Sequence, residues 1–287
     1  MMAHGKTESR LTCAGQAAHL GADYSKAIEY ANGEYILFVD GDDILADNKA
    51  LENISYKCNG NDMVSFNWSE FIDSMPNIKA PVGKELCYLN ELYHDGREYL
   101  LDALEKNPLY VWYVVRYAIK LDFWKINQFY FKDNIKYEDV DLTYKIISKS
   151  KSIAVMNEIV YSYRKMRPGS TVTTVDTKTF SDGLFVIANN IKDINKSSDY
   201  SRELKKELCN NMSCIFYSFL IQSSRILDSS EKKSFWKKLE QYSWICDYTN
   251  VYPQKMVALG IKIFGIKKMA NLLGIRRNLR ILLKKQY

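Results

Sequence analysis

The chain has 287 residues, 47% of them hydrophobic and 26% charged, with 40 Lys and Arg against 34 Asp and Glu for a net charge of +6. That composition is ordinary for a globular protein and excludes disorder or collagen-like repeats for the bulk of the chain, while the length suits one large domain or two modest ones. No apolar run approaches the roughly 18 residues of a spanning helix, and Met1-Met2-Ala3-His4-Gly5-Lys6 has no apolar leader core.

The six cysteines are scattered with no CxxC spacing, so they read as reduced thiols of a cytosolic protein. His4, His19 and His94 have no partner at metal-ligand spacing, which argues against zinc and against a histidine-based triad. The 21 tyrosines suit a sugar-binding or interface-forming protein and equally a core of amphipathic rings.

Residues 1–21 are small and polar and are expected to be poorly ordered. Tyr24, Ile28 and Ala31 share one helical face, and Asn32-Gly33 is a stop signal. Tyr35-Ile36-Leu37-Phe38-Val39 is a continuous apolar run, the pattern of a buried parallel strand. A helix is expected over 48–57 and a strand over 63–68. Residues 70–90, with Pro76, Pro81 and Gly83, read as a loop. A helix is expected over 91–105, a short strand and a helix within 110–131, a helix over 138–148, and one or two strands over 152–163. After about residue 175 the spacing is helical almost throughout. The division expected is an α/β domain over 22–175 and a helical region over 176–287.

Three clusters can carry chemistry. Asp40-Gly41-Asp42-Asp43 ends the apolar strand, where open α/β sheets bind ligands. Asp40 and Asp42 are two apart, so in extended backbone they point to one side and can hold a hard cation such as Mg²⁺ or Mn²⁺. Gly41 allows close backbone approach. A solvated acidic turn before a helix fits the same residues. Glu138 and Asp139 open an amphipathic helix, as a general base beside a cleft or as a complement to the helix dipole. Arg164, Lys165 and Arg167 precede Pro168-Gly169 and suit a diphosphate clamp or a basic loop.

The run Ala31-Asn32-Gly33-Glu34-Tyr35-Ile36-Leu37-Phe38-Val39-Asp40-Gly41-Asp42-Asp43 resembles the metal-binding region of bacterial family 2 glycosyltransferases of the GT-A fold. Trp112 and Arg116, Phe129–Phe131, Tyr137-Glu138-Asp139 and Tyr161-Ser162-Tyr163-Arg164 follow in that family's order, and the resemblance covers about residues 22–175. It implies a metal-dependent, inverting transfer from a nucleotide-sugar, a UDP-sugar above all, to a glycan or lipid-linked acceptor in cell-envelope or capsular polysaccharide synthesis. Asp42, with Asp40 beside it, would hold Mn²⁺ or Mg²⁺ on the donor diphosphate. Asp139 would be the base, Glu138 would orient the acceptor, Trp112 would stack on a sugar or fill the core, and Arg164 and Arg167 would meet the pyrophosphate. The family's amino-terminal strands, which hold the nucleobase, have no counterpart in the first 21 residues, so a GT-A domain lacking them is expected, with one sheet edge uncovered.

From Lys255 to Tyr287 there are nine basic residues and no acidic one, interleaved with aliphatic residues. Such a segment reads as a membrane-surface helix, at the inner face of the cell membrane in a cytoplasmic protein, or as a helical hairpin packed on the chain's own core with a basic outer face. Nucleic-acid binding is not expected, since the charge is confined to one end without a recognised motif. Two other functions fit the residues: an inactive relative that binds glycans or partners, and, at greater distance, a haloacid dehalogenase-type phosphatase. The latter needs Gly and Thr or Val where Asp43 and Ile44 stand.

Overall fold

A computed structural model describes residues 11–14, 22–72, 75–81, 86–165 and 177–284. They divide into two compact units: Met1–Ala103 with Val111–Pro168, and Leu104–Tyr110 with Gly169–Tyr287.

The first unit is built on one mixed sheet. Its elements in chain order are β1 (Leu11–Ala14), α1 (Ala22–Tyr30), β2 (Tyr35–Phe38), β3 (Ile44–Leu45), α2 (Ala50–Cys58), β4 (Met63–Ile72), β5 (Met75–Pro81), β6 (Leu92–Tyr93), α3 (Gly96–Lys106), β7 (Tyr117–Lys120), α4 (Leu121–Ile126), α5 (Glu138–Lys149) and β8 (Ile153–Lys165). The strand order is β1-β2-β7-β4-β8-β3, with β5 on β4 and β6 on β8. Strand β4 lies in the middle, parallel to β8 and antiparallel to β7. Residues 63–69 of β4 are therefore buried on both faces. Its buried polar residues recur every second position, and each makes a side-chain hydrogen bond, although Asn67 Oδ1 is buried without a partner among the described residues. Ser65 Oγ lies 2.8 Å from Tyr99 Oη, Asn67 Nδ2 donates to the Asn157 carbonyl at 2.8 Å, and Ser69 Oγ lies 2.9 Å from Ser162 Oγ.

Three expectations are corrected here. Leu11–Ala14, inside the stretch expected to be poorly ordered, forms β1 and runs parallel to β2 in the register Leu11↔Tyr35 to Ala14↔Phe38. Among the described residues β1 is then the end strand on that side of the sheet. The loop expected over 70–90 contains the end of β4 and the returning strand β5, paired as Ser69↔Pro81 and Ile72↔Met75. Two prolines are tolerated in β5 because it pairs with β4 alone and lies off the main strand order. The helix expected from Glu91 starts at Gly96, where the Asp95 carboxylate caps the Arg97 N–H at 2.8 Å, because Leu92 and Tyr93 pair with β8 instead. A Cβ at Gly96 would stand 1.7 Å from the Ile147 carbonyl oxygen, so only glycine lets α3 and α5 approach this closely.

The second unit is helical: α6 (Thr177–Lys196), α7 (Arg202–Gln222), α8 (Ser229–Gln241), α9 (Gln254–Phe264) and α10 (Ile266–Lys284), with 3-10 turns at 223–225 and 243–248. Ser201 caps α7 by accepting from the Leu204 N–H at 3.1 Å, and Asp228 caps α8 by accepting from Ser230 and Glu231 at 2.8 Å. Phe180 meets Phe219 and Phe235 with ring centroids 5.7 and 5.6 Å apart. Asn211 Nδ2 donates to the carbonyls of Pro108 and Tyr110 at 3.0 Å each, which ties the segment 104–110 into this unit. Among the described residues no helix is long and apolar enough to cross a membrane.

Candidate active site

The site begins with a cluster of rings. Phe38, the last residue of β2, is fully buried, with Tyr24 of α1 at 5.0 Å, Trp124 of α4 at 5.5 Å and Phe131 at 5.6 Å between centroids. Such pairs are worth about 0.5–1.5 kcal/mol each beyond the area they bury. This packing delivers the Tyr24 hydroxyl to Asp40 Oδ1, to which it donates a short hydrogen bond.

Beyond Phe38 the chain turns sharply, with the Asp43 N–H donating to the Asp40 carbonyl at 3.0 Å. Gly41 is exposed at the outside of this turn, Asp40 and Asp42 are half-buried, and Asp43 is buried. Strand β8 holds the turn from the other side. The Tyr161 hydroxyl donates to Asp43 Oδ2 at 2.5 Å and accepts from the Asp40 N–H at 3.2 Å, while the Arg164 N–H donates to Asp43 Oδ1 at 2.7 Å. Both oxygens of Asp43 are thus committed to β8, which makes it the anchor of the turn. Burial pushes its carboxyl up to about 6, against the pull of those two hydrogen bonds.

Glu138 and Asp139 open α5 directly after Tyr137, whose φ of 69° is the left-handed conformation that bulky residues rarely adopt. The fold brings them within electrostatic reach of Asp40, about a hundred residues earlier in the chain. Burial raises the Glu138 carboxyl above its ordinary value, Lys136 lowers it, and Asp40 raises it further. Asp139 is raised well above the ordinary range, by burial first, then by Glu138 and Asp40. Its Oδ2 accepts a long 3.4 Å bond from the Val114 N–H, and its Oδ1 is buried with no hydrogen-bond partner among the described residues. Asp141, two residues on, is the opposite case: its side chain is buried but ion-paired to Lys132 at 3.0 Å and Lys145 at 3.1 Å, whereas Asp139 is half-buried by surface area. The Tyr24 hydroxyl is held protonated by burial and by the fields of Asp40, Asp139 and Glu138, so it donates rather than ionises.

The carboxylates Asp40, Glu138 and Asp139 therefore lie within electrostatic reach of one another, with Asp42 next to Asp40 on the turn. Oxygen-only donors of this kind suit a hard divalent cation. Among the described residues no three acidic, histidine or cysteine side chains are grouped closely enough to hold a metal by themselves.

The other expected site residues divide. Trp112 is 2% exposed and packs edge-on against Tyr144 at 6.0 Å, so its ring belongs to the core and is not offered to an acceptor. The Arg164 guanidinium lies over the Phe71 ring at 5.5 Å. Arg167 lies outside the described residues. Tyr24, Tyr161 and Asp43 were not foreseen in these roles, because nothing in a one-dimensional pattern pairs a helix tyrosine or a strand tyrosine with a particular turn.

No protein-family model matches the chain, and no curated protein matches it in sequence. Solved structures do match. S. aureus TarS 1–349 in complex with UDP-GlcNAc is 12% identical with a TM-score of 0.63, over 90% of this chain and 72% of that one. The same protein in complex with UDP is 15% identical with a TM-score of 0.63, and alone it is 14% identical with a TM-score of 0.64, each over 90% of this chain and 71% of that one. At such identities the likeness speaks to the fold alone: the chain has the fold of TarS, an α/β sheet unit with a helical carboxy-terminal region.

Proposed function

We propose that the chain is an inverting, metal-dependent glycosyltransferase of the family 2 type that uses a nucleotide-sugar donor, in the first instance a UDP-sugar. The observation that carries this reading is Asp139: a carboxylate at a helix start with one oxygen buried and unpartnered, and a proton affinity raised by burial and by two neighbouring carboxylates. Raised basicity is what a general base needs to take a proton from a sugar hydroxyl. The TarS complexes with UDP-GlcNAc and UDP add support for the donor class.

In this reading Asp42, with Asp40, holds the cation on the donor diphosphate. When bound, Mn²⁺ or Mg²⁺ supplies charge neutralisation to the departing nucleoside diphosphate. Tyr24 and Tyr161 keep Asp40 and its turn from shifting as the ligand enters. Asp139 removes the proton of the acceptor hydroxyl, whose oxygen bonds to the anomeric carbon from the face opposite the phosphate. The bond to the diphosphate breaks with its electron pair, and the anomeric configuration inverts. Glu138 orients the acceptor, a glycan or a lipid-linked sugar of cell-envelope synthesis. The guanidinium of Arg164 and that of Arg167 are assigned to the diphosphate.

Calorimetric titration of UDP into the full chain with and without Mn²⁺ tests this, alongside Asp42→Asn. Metal-dependent binding that the variant loses supports the reading. Binding that ignores both metal and variant, or no binding at all, overturns it.

A further inference from the structure

We propose that helices α9 and α10 dock on an anionic lipid surface. Each of them is apolar on two opposite faces, and the fold accounts for one. On the inner side, Val257 and Ile261 of α9 and Met269 and Leu273 of α10 are buried. The inner contacts are tight: a Cβ at Gly260 would stand 2.6 Å from Met269 Sδ, and one at Gly274 would stand 2.5 Å from Ser224 Cβ. On the outer side, Met256, Leu259 and Ile263 of α9 and Leu272, Ile275 and Leu279 of α10 are each 51–62% exposed. In both helices the outer residues fall at positions i, i+3 and i+7, which is one continuous stripe on a helix surface. Isolated exposed aliphatics are ordinary, but two regular stripes on consecutive helices mark an interaction surface.

The charge says what covers them. Between Gln254 and Lys284 there are eight basic residues and no acidic one. Lys262 is used within the unit, paired with Asp247 at 2.5 Å, and Lys267 lies over the Trp236 ring at 5.8 Å. Lys255 flanks the stripe of α9 one turn before Leu259, and Lys268 and Arg276 stand one turn on either side of Leu272. Cations beside aliphatics on an exposed helix face match a layer of acidic headgroups over acyl chains. A second copy would bring the same cations into opposition, and a nucleic acid would leave the aliphatic stripes uncovered. No described helix meets the length and apolarity needed to cross, so the pair lies on the surface.

The full chain is tested by co-sedimentation with phosphatidylcholine vesicles, with and without phosphatidylglycerol. Two triple variants accompany it, Lys255→Glu/Lys268→Glu/Arg276→Glu and Leu272→Ser/Ile275→Ser/Leu279→Ser. All six positions are exposed, and circular dichroism checks that the fold is kept. Each basic residue at an anionic surface is worth about fivefold in partition, so the charge variant should lose about a hundredfold or more on phosphatidylglycerol vesicles. The apolar variant should lose binding as well. Three results would overturn the inference: no binding to phosphatidylglycerol vesicles, binding that neither variant alters, or a dimer in light scattering that either variant dissociates. Vesicle binding is read without donor or acceptor, so its outcome stands apart from that of the UDP titration.

Discussion

Replacing Asp139 by Asn should make the protein more stable and less active at once. In the folded state one oxygen of this carboxylate has no hydrogen-bond partner among the described residues, and the other accepts a long bond from the Val114 N–H. Glu138 and Asp40 act on it electrostatically, and both raise its proton affinity. A buried charged group without partners costs at least about 1–3 kcal/mol. The amide keeps the Val114 bond, removes the charge and offers donors to its acidic neighbours. Unfolding at about pH 8 should therefore cost about 1–3 kcal/mol more, a rise in midpoint of about 2–10 °C. The sign of the pH dependence follows from the raised carboxyl. A group that binds its proton more tightly when folded weakens the fold as pH rises through its folded-state value, and costs nothing below its unfolded value of about 3.9. The advantage of the variant should thus be complete at high pH and vanish near pH 4. Loss of the base should cost transfer about 10²–10⁴-fold. Urea and thermal melts across that pH range measure the first effect, and sugar-transfer rates the second. A variant less stable than the parent at about pH 8, or a gain independent of pH, would refute the account of Asp139 as an uncompensated charge.

Asp141→Asn, two residues along the same helix, should have the opposite sign. Its carboxylate is compensated by Lys132 and Lys145, both partly exposed. Losing those pairs should cost about 1–2 kcal/mol in a urea melt, discounted for solvent screening, with little effect on UDP binding. Gly96→Ala places a methyl 1.7 Å from the Ile147 carbonyl oxygen, so α3 and α5 must separate. A loss of about 3 kcal/mol is expected, read as a lower urea midpoint or as failure to yield soluble protein.

Much of the sheet unit was legible because its signals are local. The buried run Tyr35–Phe38, the stop at Asn32-Gly33 and the acidic start of α5 each declare themselves within a few residues. The turn of Asp40 and Asp42 and the pair Glu138-Asp139 were legible too, though only a family pattern linked them. The unread parts depend on distant partners. Strand β1 exists by pairing with β2, β5 by pairing with β4, and the truncated start of α3 by the pull of β8 on Leu92 and Tyr93. The opposite fates of Asp139 and Asp141 also escape the sequence, since each is one acidic letter among three in a helix start. Only the packing shows that one faces two lysines and the other faces carboxylates.

Tyr161 and Arg164 fasten the acidic turn from strand β8, and the bond between Tyr161 and the Asp40 N–H spans 121 residues of chain. During synthesis, at about 5–20 residues per second, roughly 6–24 s separate the appearance of the turn from that of its fastener. Over that interval Asp43 has neither of its two β8 donors, and the turn is held from the side of α1 alone, through Tyr24 and Asp40. The acidic end of the sheet is therefore completed late on the ribosome, after α5 has already been made. A chain stalled before β8 would carry every acidic residue of the site and still lack the strand that sets them in place.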